Sequence, residues 1–431
     1  MSDAINVPAN WASDTLINIA DYHNGAAFKP KDWVEDGLPI IRIEQLNKAD
    51  SETDKYGGVL LPNNFIDTGD LIFSWSATLK VVIWSRGPGA LNQHLYKVVP
   101  KPWINRLMLL HVLDFNMSKL AGQSQGSTMK HVTRKELSRF KVVYPKREPE
   151  QQKIATILST IDQTIEKTEA LIEKYQQIKA GLMHDLFTRG IGADGKLRPP
   201  REQAPELYQQ TPIGWIPKEW KPLKLNDILK NSGGYLQTGP FGSQLHSYEY
   251  TYEGIPVVMP QDINDGIIDE IQIARIPERR AQSLLKHRLK IGDIIIARRG
   301  ELSRAAAITG IEQGWVCGTG CFLLRLGGSN LDARFFSLIY RHPMAQRQVE
   351  GLAVGSTMPS LNNDIMSKLT FPYMSKAEQT AIADKVQLTE MRMTTLNSEL
   401  TKLQKQKSGL MRDLLTGKVS VQVAESEPEI A

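Results

Sequence analysis

Cysteine is nearly missing: Cys317 and Cys321 are the only two in 431 residues. That excludes a disulfide framework and points to a reducing, cytoplasmic setting. Long hydrophobic runs are missing as well. The best, Leu107–Leu113, is broken by His111 and falls far short of the ~20 residues that cross a bilayer, so no membrane association is expected. The opening residues, MSDAINVPANW, lack the basic start and apolar stretch of a secretory signal. Nor is there a large excess of one charge: 52 Lys+Arg against 47 Asp+Glu leaves a net +5. A mildly basic chain is not a free-standing nucleic-acid binder, so any such role needs local patches or partner subunits.

Catalytic motifs are also missing where an enzyme would need them. A base-modifying methyltransferase needs a Gly-rich cofactor loop and an Asn/Asp/Ser-Pro-Pro-aromatic motif beside a flipped base. The only Pro-Pro lies in LRPPRE at Leu197–Glu202. No GxxxxGK[ST] phosphate loop, GxSxG elbow or HExxH occurs. Cys317 and Cys321 make a CxxxC with no second ligand pair nearby, where a structural zinc wants four ligands. They read as buried strand cysteines, and no metal is expected. The chain by itself is not expected to be an enzyme.

What is present is a duplication. EQQKIA at Glu150–Ala155 returns as EQTAIA at Glu378–Ala383, and GLMHDLFT at Gly181–Thr188 returns as GLMRDLLT at Gly409–Thr416, both 228 residues later. GSTM at Gly126–Met129 returns at Gly355–Met358, offset by 229. GLPIIRIEQLN resembles GIPVVMPQDIN, TGDLIF resembles IGDIII, and Trp11, Leu16, Ile19 and Gly25 match Trp220, Leu225, Ile228 and Gly234. Small changes of offset are the loop insertions of two copies of one domain.

Each copy leads into a long helix. Steps of four and three from Ile154 pass through Leu158, Ile161, Ile165, Thr168, Ile172, Tyr175, Lys179, Leu182 and Leu186. From Ile382 they pass through Val386, Thr389, Met393, Leu396, Leu400, Leu403, Lys407, Leu410 and Leu414. A 3.5-residue seam over five heptads is a coiled-coil pattern, and each seam carries a lysine at the same step. Two equivalent helices bury such seams most simply against each other, and a pseudo-twofold exchange of the halves makes them antiparallel. At about 36 residues each they span roughly 54 Å. The expected fold is α+β: two pseudo-twofold-related mixed α/β domains separated by a long antiparallel coiled coil. Residues 1–147 form the first domain, 148–189 the first helix, 190–214 a Gly- and Pro-marked linker, 215–374 the second domain and 375–417 the second helix. Residues 418–431 form an acidic, disordered tail.

Several stretches have the chemistry of DNA contact. Arg279–Arg304 carries eight basic residues against Asp293 and Glu301, which suits phosphates, and arginine is also the usual reader of guanine. From it we select Arg298, Arg299 and Arg304; the alternative is a solvated face. In FSWSATLK, strand alternation places Trp75 in the core and turns Ser74 and Ser76 outward towards a groove, with Lys80 following. Ser127, Thr128 and Lys130, with Ser356 and Thr357, belong to turns before helices, as phosphate ligands or as caps. Gln237, Ser243 and Gln244 come from the amide-rich loop QTGPFGSQ. The seam residues Ile161, Ile165, Ile172, Leu182, Leu186, Met393, Leu396, Leu400, Leu403, Leu410 and Leu414 are candidates for helix pairing and subunit docking.

The order Trp-x4-Leu-x2-Ile, GDLIFSWS…VVIW…NQHLYKV, GSTM and EQQKIA…GLMHDLFT, all repeated, resembles the specificity subunits of type I restriction-modification enzymes. It covers all of the chain but the acidic tail. One departure is GTGCFLL in place of NQHLYKV in the second half. The resemblance implies a non-catalytic reader of double-stranded DNA with two target-recognition domains, each for half of an interrupted, asymmetric site. The helices would set the gap and dock two methyltransferase subunits. Restriction subunits would complete a type I site-specific deoxyribonuclease and adenine-specific methyltransferase. S-adenosylmethionine, ATP and Mg2+ would then be used by the partners, none by this chain. Three other readings stay open: a modification-only complex, a single-chain modification enzyme, and a coiled-coil adaptor that binds protein alone.

Overall fold

The computed structural model describes residues 7–48, 51–76, 78–122, 131–352 and 360–423. The chain divides into two compact units, residues 1–171 with 396–431, and residues 172–395. Both boundaries fall inside the long helices, Glu148–Thr188 and Lys376–Leu415. Each unit therefore holds one domain, the beginning of the helix that follows it, and the end of the other helix.

In the first unit a four-stranded antiparallel sheet runs in the order Ala20–Asn24, Leu95–Pro100, Leu71–Ser74, Lys80–Ile83. A five-stranded mixed sheet of short strands carries a parallel pair, Leu38–Ile41 with Gly89–Leu91. Trp11–Thr15 pairs with Lys141–Pro145, and the helix Arg106–Gly122 packs on the sheet. The second unit repeats this plan. Tyr235–Thr238, Cys321–Arg325, Ile294–Ala297 and Ala305–Ala307 form its four-stranded sheet. Ile255–Val258 runs parallel to Val316–Cys317, and Lys221–Lys224 pairs with Thr370–Tyr373. The helical stretch after this sheet is split. Ala333–Arg341 ends at His342, and Pro343, with its fixed φ and missing N–H, begins Pro343–Leu352.

The repeated motifs are the joints of the two cores. At the start of each long helix a glutamate accepts from the indole of the domain's first tryptophan, Trp11 to Glu150 at 3.2 Å and Trp220 to Glu378 at 3.1 Å. The next residue, Gln151 or Gln379, is fully buried. The amide of Gln151 donates to the Pro145 and Trp103 carbonyls, and its oxygen accepts from the Asn105 N–H at 2.7 Å. Gln379 does the same with Met374, Asn330 and the Asp332 N–H. Asn105 and Asp332 in turn cap the helices that follow them, so one buried amide fixes three segments.

The other motif closes each core with the end of the other helix. Met411, Leu414 and Leu415 join Trp11, Ile154 and Leu158 in the first unit; Leu186 and Phe187 join Trp220, Ile382 and Val386 in the second. Within each unit the start of one helix lies beside the end of the other, an antiparallel arrangement. A glycine in the left-handed region ends each, Gly190 at φ +65° and Gly417 at φ +70°. A Cβ on Gly190 would fall 2.3 Å from the Trp220 ring, so the close approach requires glycine there.

The seam is buried at Ile161, Ile172, Leu186, Leu396 and Leu414 and half-buried at Ile165, Leu182, Met393, Leu400, Leu403 and Leu410. Part of it is covered by the domain cores rather than by the partner helix alone. The seam lysines bridge the helices: Lys179 pairs with Glu390 at 3.0 Å, and Lys407 with Asp162 at 2.8 Å. These are equivalent contacts, 228 residues apart in the sequence.

The segment 190–214, expected as a linker, is folded. Tyr208–Thr211 and Gly214–Pro217 form a hairpin, and Arg198 is buried with its guanidinium on Glu378 at 2.6 Å and Glu219 at 2.5 Å. A buried arginine needs such partners, and they hold the segment on the second unit. Of the expected tail, residues 424–431 lie outside the described residues.

Candidate nucleic-acid interface

Tracing each basic side chain in Arg279–Arg304 separates fasteners from free cations. Arg304 is a fastener: its guanidinium meets Glu301 at 2.8 Å and donates to the Ile263 carbonyl and Asn264 Oδ1 at 3.2 and 3.0 Å. Those bonds hold the hairpin Ile263–Ile268 and leave little of the side chain for DNA. Arg280 pairs with Glu249 at 2.6 Å, and Arg288 with Glu278 at 3.3 Å. Arg279, Lys286, Lys290 and Arg299 are exposed. Arg298 is half-buried, its Cζ 5.1 Å from the Phe322 ring centre and its Nε donating to the Leu361 carbonyl. Burial, and then the neighbouring charge of Arg299, pull its pKa below the ordinary arginine value.

The serines flanking Trp75 do not face a groove. Ser74 is fully buried and donates to the Thr78 carbonyl at 2.7 Å, and Ser76 is also buried. Leu71–Ser74 is covered on both faces, so the alternation that would turn one serine outward does not apply. Trp75 is half-buried rather than core, ringed by His94, Tyr96 and His131 at 5.9, 5.8 and 5.7 Å. The Lys80 ammonium is held by the Leu46 carbonyl at 2.7 Å and by Asn47. Gln237 donates to the Lys286 carbonyl, and Gln244 Oε1 accepts from the Phe241 N–H at 3.1 Å. Both glutamines shape their own loops, while Ser243 beside them is exposed. Ser127, Thr128, Lys130, Ser356 and Thr357 lie outside the described residues.

Cys317 and Cys321 are buried and unpaired, and burial pushes both thiols well up from the ordinary range, which leaves them unreactive. Among the described residues no group of three His, Cys, Asp or Glu side chains is placed to hold a metal ion. None of their helices is long and apolar enough to cross a membrane.

Two residues beside Trp75 escaped the sequence reading. His94 and His131 lie 37 residues apart in sequence, and the fold brings both against the Trp75 ring. For His94 the signal was the departure of GTGCFLL from NQHLYKV, since a surface that differs between copies of a shared frame is where the copies do different things; His131 had no such signal.

Two duplicated α/β units, each closed by the same buried contacts, define a protein built on one repeated frame. The family described as type I restriction modification DNA specificity domain matches residues 8–177 and again 217–405, and the chain belongs to it. It is a type I restriction-modification specificity subunit that recognises DNA sequence through two domains. It is similar to the type I restriction enzyme MjaVIII specificity subunit of Methanocaldococcus jannaschii, with 23% identity over 97% of this chain and 95% of that protein. The EcoBI specificity subunit of Escherichia coli is 23% identical over 70% of this chain and 63% of that protein. In fold it resembles the crystal structure of the type I restriction-modification S subunit from M. genitalium. That likeness has a TM-score of 0.62 at 16% identity and covers 96% of this chain and 98% of that one.

Proposed function

We propose that this chain is the non-catalytic reader of a restriction-modification complex in the cytoplasm, and that its site on duplex DNA is bipartite and asymmetric. Each repeat reads one half-site. The paired helices fix the gap between half-sites and dock two methyltransferase subunits, and restriction subunits join that assembly. S-adenosylmethionine, ATP and Mg2+ serve the partners' chemistry.

The observation that carries this reading is the contrast between frame and surface. The buried joints at Trp11, Glu150 and Gln151 recur at Trp220, Glu378 and Gln379, while the exposed polar residues of the two units differ. One frame presenting two surfaces suits two unlike half-sites, whose mismatch costs add at ~1–3 kcal/mol per base pair. A net charge of only +5 leaves room for partner subunits to supply phosphate contacts.

Replacing residues 1–147 with the corresponding domain of a relative tests it. Methylated sites sequenced genome-wide, with and without the gene, should show one half-site changed and the other retained. Methyl transfer by the purified chain alone would overturn the reading, as would failure to retain DNA when methyltransferase subunits are present.

A further inference from the structure

The two units place different chemistry on one backbone corner. In the first unit the N–H of Trp75 donates to the His94 carbonyl, Val132 donates to the Trp75 carbonyl at 2.9 Å, and Ser76 bridges to His131. In the second, the N–H of Arg298 donates to the Gly320 carbonyl at 2.9 Å, Leu361 donates to the Arg298 carbonyl at 2.9 Å, and Arg299 bridges to Ser360. Tyr96 under Trp75 matches Phe322 under Arg298, each on the strand next in the sheet. Three backbone pairings and one aromatic floor make Trp75 the counterpart of Arg298, and Ser76 that of Arg299.

On this shared corner the first unit carries an indole and two imidazoles, the second two guanidiniums. His94 and Arg299 are the exposed members. Among the described residues, two buried polar atoms of the first corner have no hydrogen-bond partner, Trp75 Nε1 and His131 Nδ1. A buried donor left unpaired costs ~1–3 kcal/mol and marks a place built for something besides packing. Arg299 has no ion pair among the described residues and stands beside Arg298, which is held over Phe322.

We propose that this corner is the specificity-determining position of each repeat: Arg299 reads a guanine in one half-site, and His94, set against Trp75, reads a base edge in the other. Arginine meets guanine O6 and N7 bidentately in the major groove, and imidazole offers one donor and one acceptor to a base edge. Arg298 and Trp75 are positioning residues that hold the readers. The assignment rests on the function proposed above and deepens it.

The test uses the full chain in complex with methyltransferase subunits, selecting from a randomised duplex library. H94A should lose about tenfold or more discrimination at one or two base pairs of one half-site and leave the other unchanged. R299A should do the same in the other half-site, at a G·C pair. K290A, which removes an exposed lysine of the basic stretch, should weaken all sequences alike and lower the salt dependence. The assignment is overturned if H94A or R299A weakens all sequences equally, leaves the preferences unchanged, or acts on the same half-site as the other. A wild-type complex that selects no sequence would overturn the proposed function itself. A wild-type complex that selects a bipartite site, with both variants reading it unaltered, overturns this assignment alone.

Discussion

His342 shows how much a buried titratable residue is asked to do in structure rather than in recognition. It is 7% exposed, its ring 5.0 Å from Phe187, and its Nδ1 accepts from the Met344 N–H at 3.3 Å, which requires an unprotonated Nδ1. Burial, and then the charges of His184 and Arg347, hold its pKa down at about 4 against the ordinary 6.5. The folded state therefore resists a proton that the unfolded chain takes up. The stabilisation is whole above pH 6.5 and is lost as pH falls towards 4. The urea midpoint should thus be flat from pH 8 to 7 and decline below 6.5, with a shallower decline in His342→Asn. Buried His111, shifted the same way by burial, keeps some slope in the variant. An unchanged slope would mean that the ring accepts its proton without unfolding. The same separation of roles governs the arginines: Arg304 spends its donors on Glu301, Asn264 and carbonyls of its own unit, while Arg299 is exposed and has no ion pair among the described residues.

The long helices are tied by charge as well as by seam. Lys407 meets Asp162 at 2.8 Å across the helix pair and Asp114 at 3.0 Å, with both Lys407 and Asp162 about a quarter exposed. Partial exposure limits the pair's worth, so K407M should cost about 1 kcal/mol. A double-mutant cycle of K407M with D162N should give a coupling of ~0.5–1 kcal/mol that shrinks in 1 M salt. A coupling of zero would leave only the apolar contacts to hold the helices in this unit. The lysine was visible in the sequence as a shared step of both seams, and the helices themselves were legible from a 3.5-residue period. What the repeated motifs do was not legible, because Glu150 meets Trp11 across 139 residues and Glu378 meets the Ile191 N–H across 187. Repetition identified them as important without saying for what. Composition misled at 190–214, where Gly and Pro suggested a free linker while Arg198, buried on Glu378 and Glu219, fastens it. Periodicity misled at Ser74, whose strand is covered on both faces. The readers proposed at His94 and Arg299 depend on which backbone positions correspond, and that correspondence exists only once the strands are paired.

At the scale of the whole chain, the first unit borrows from the far end of the sequence, while the second is one continuous stretch. The core of the first unit is completed by Met411, Leu414 and Leu415, beyond the entire second domain, and Gly417 closes on Pro8 and Trp11. A core that loses three buried side chains at ~1.5–3 kcal/mol each gives up an amount comparable to the whole stability of a typical domain. Deleting residues 409–431 should therefore unfold the first unit although no residue of its domain is touched. The second unit keeps its own helix end, Leu186 and Phe187, and the start of the second helix, Ile382 and Val386, so it should persist. Limited proteolysis followed by mass spectrometry should find cuts throughout residues 7–147 and protection over 205–374, and Leu414→Asp should reproduce the pattern in the full chain. Continued protection of 7–147 would mean that the first domain closes its core unaided. By the same reasoning, exchange of residues 1–147 between relatives can change what is read only if the incoming domain brings the tryptophan that Glu150 holds. The contacts that make the readers exchangeable are the buried ones common to both halves.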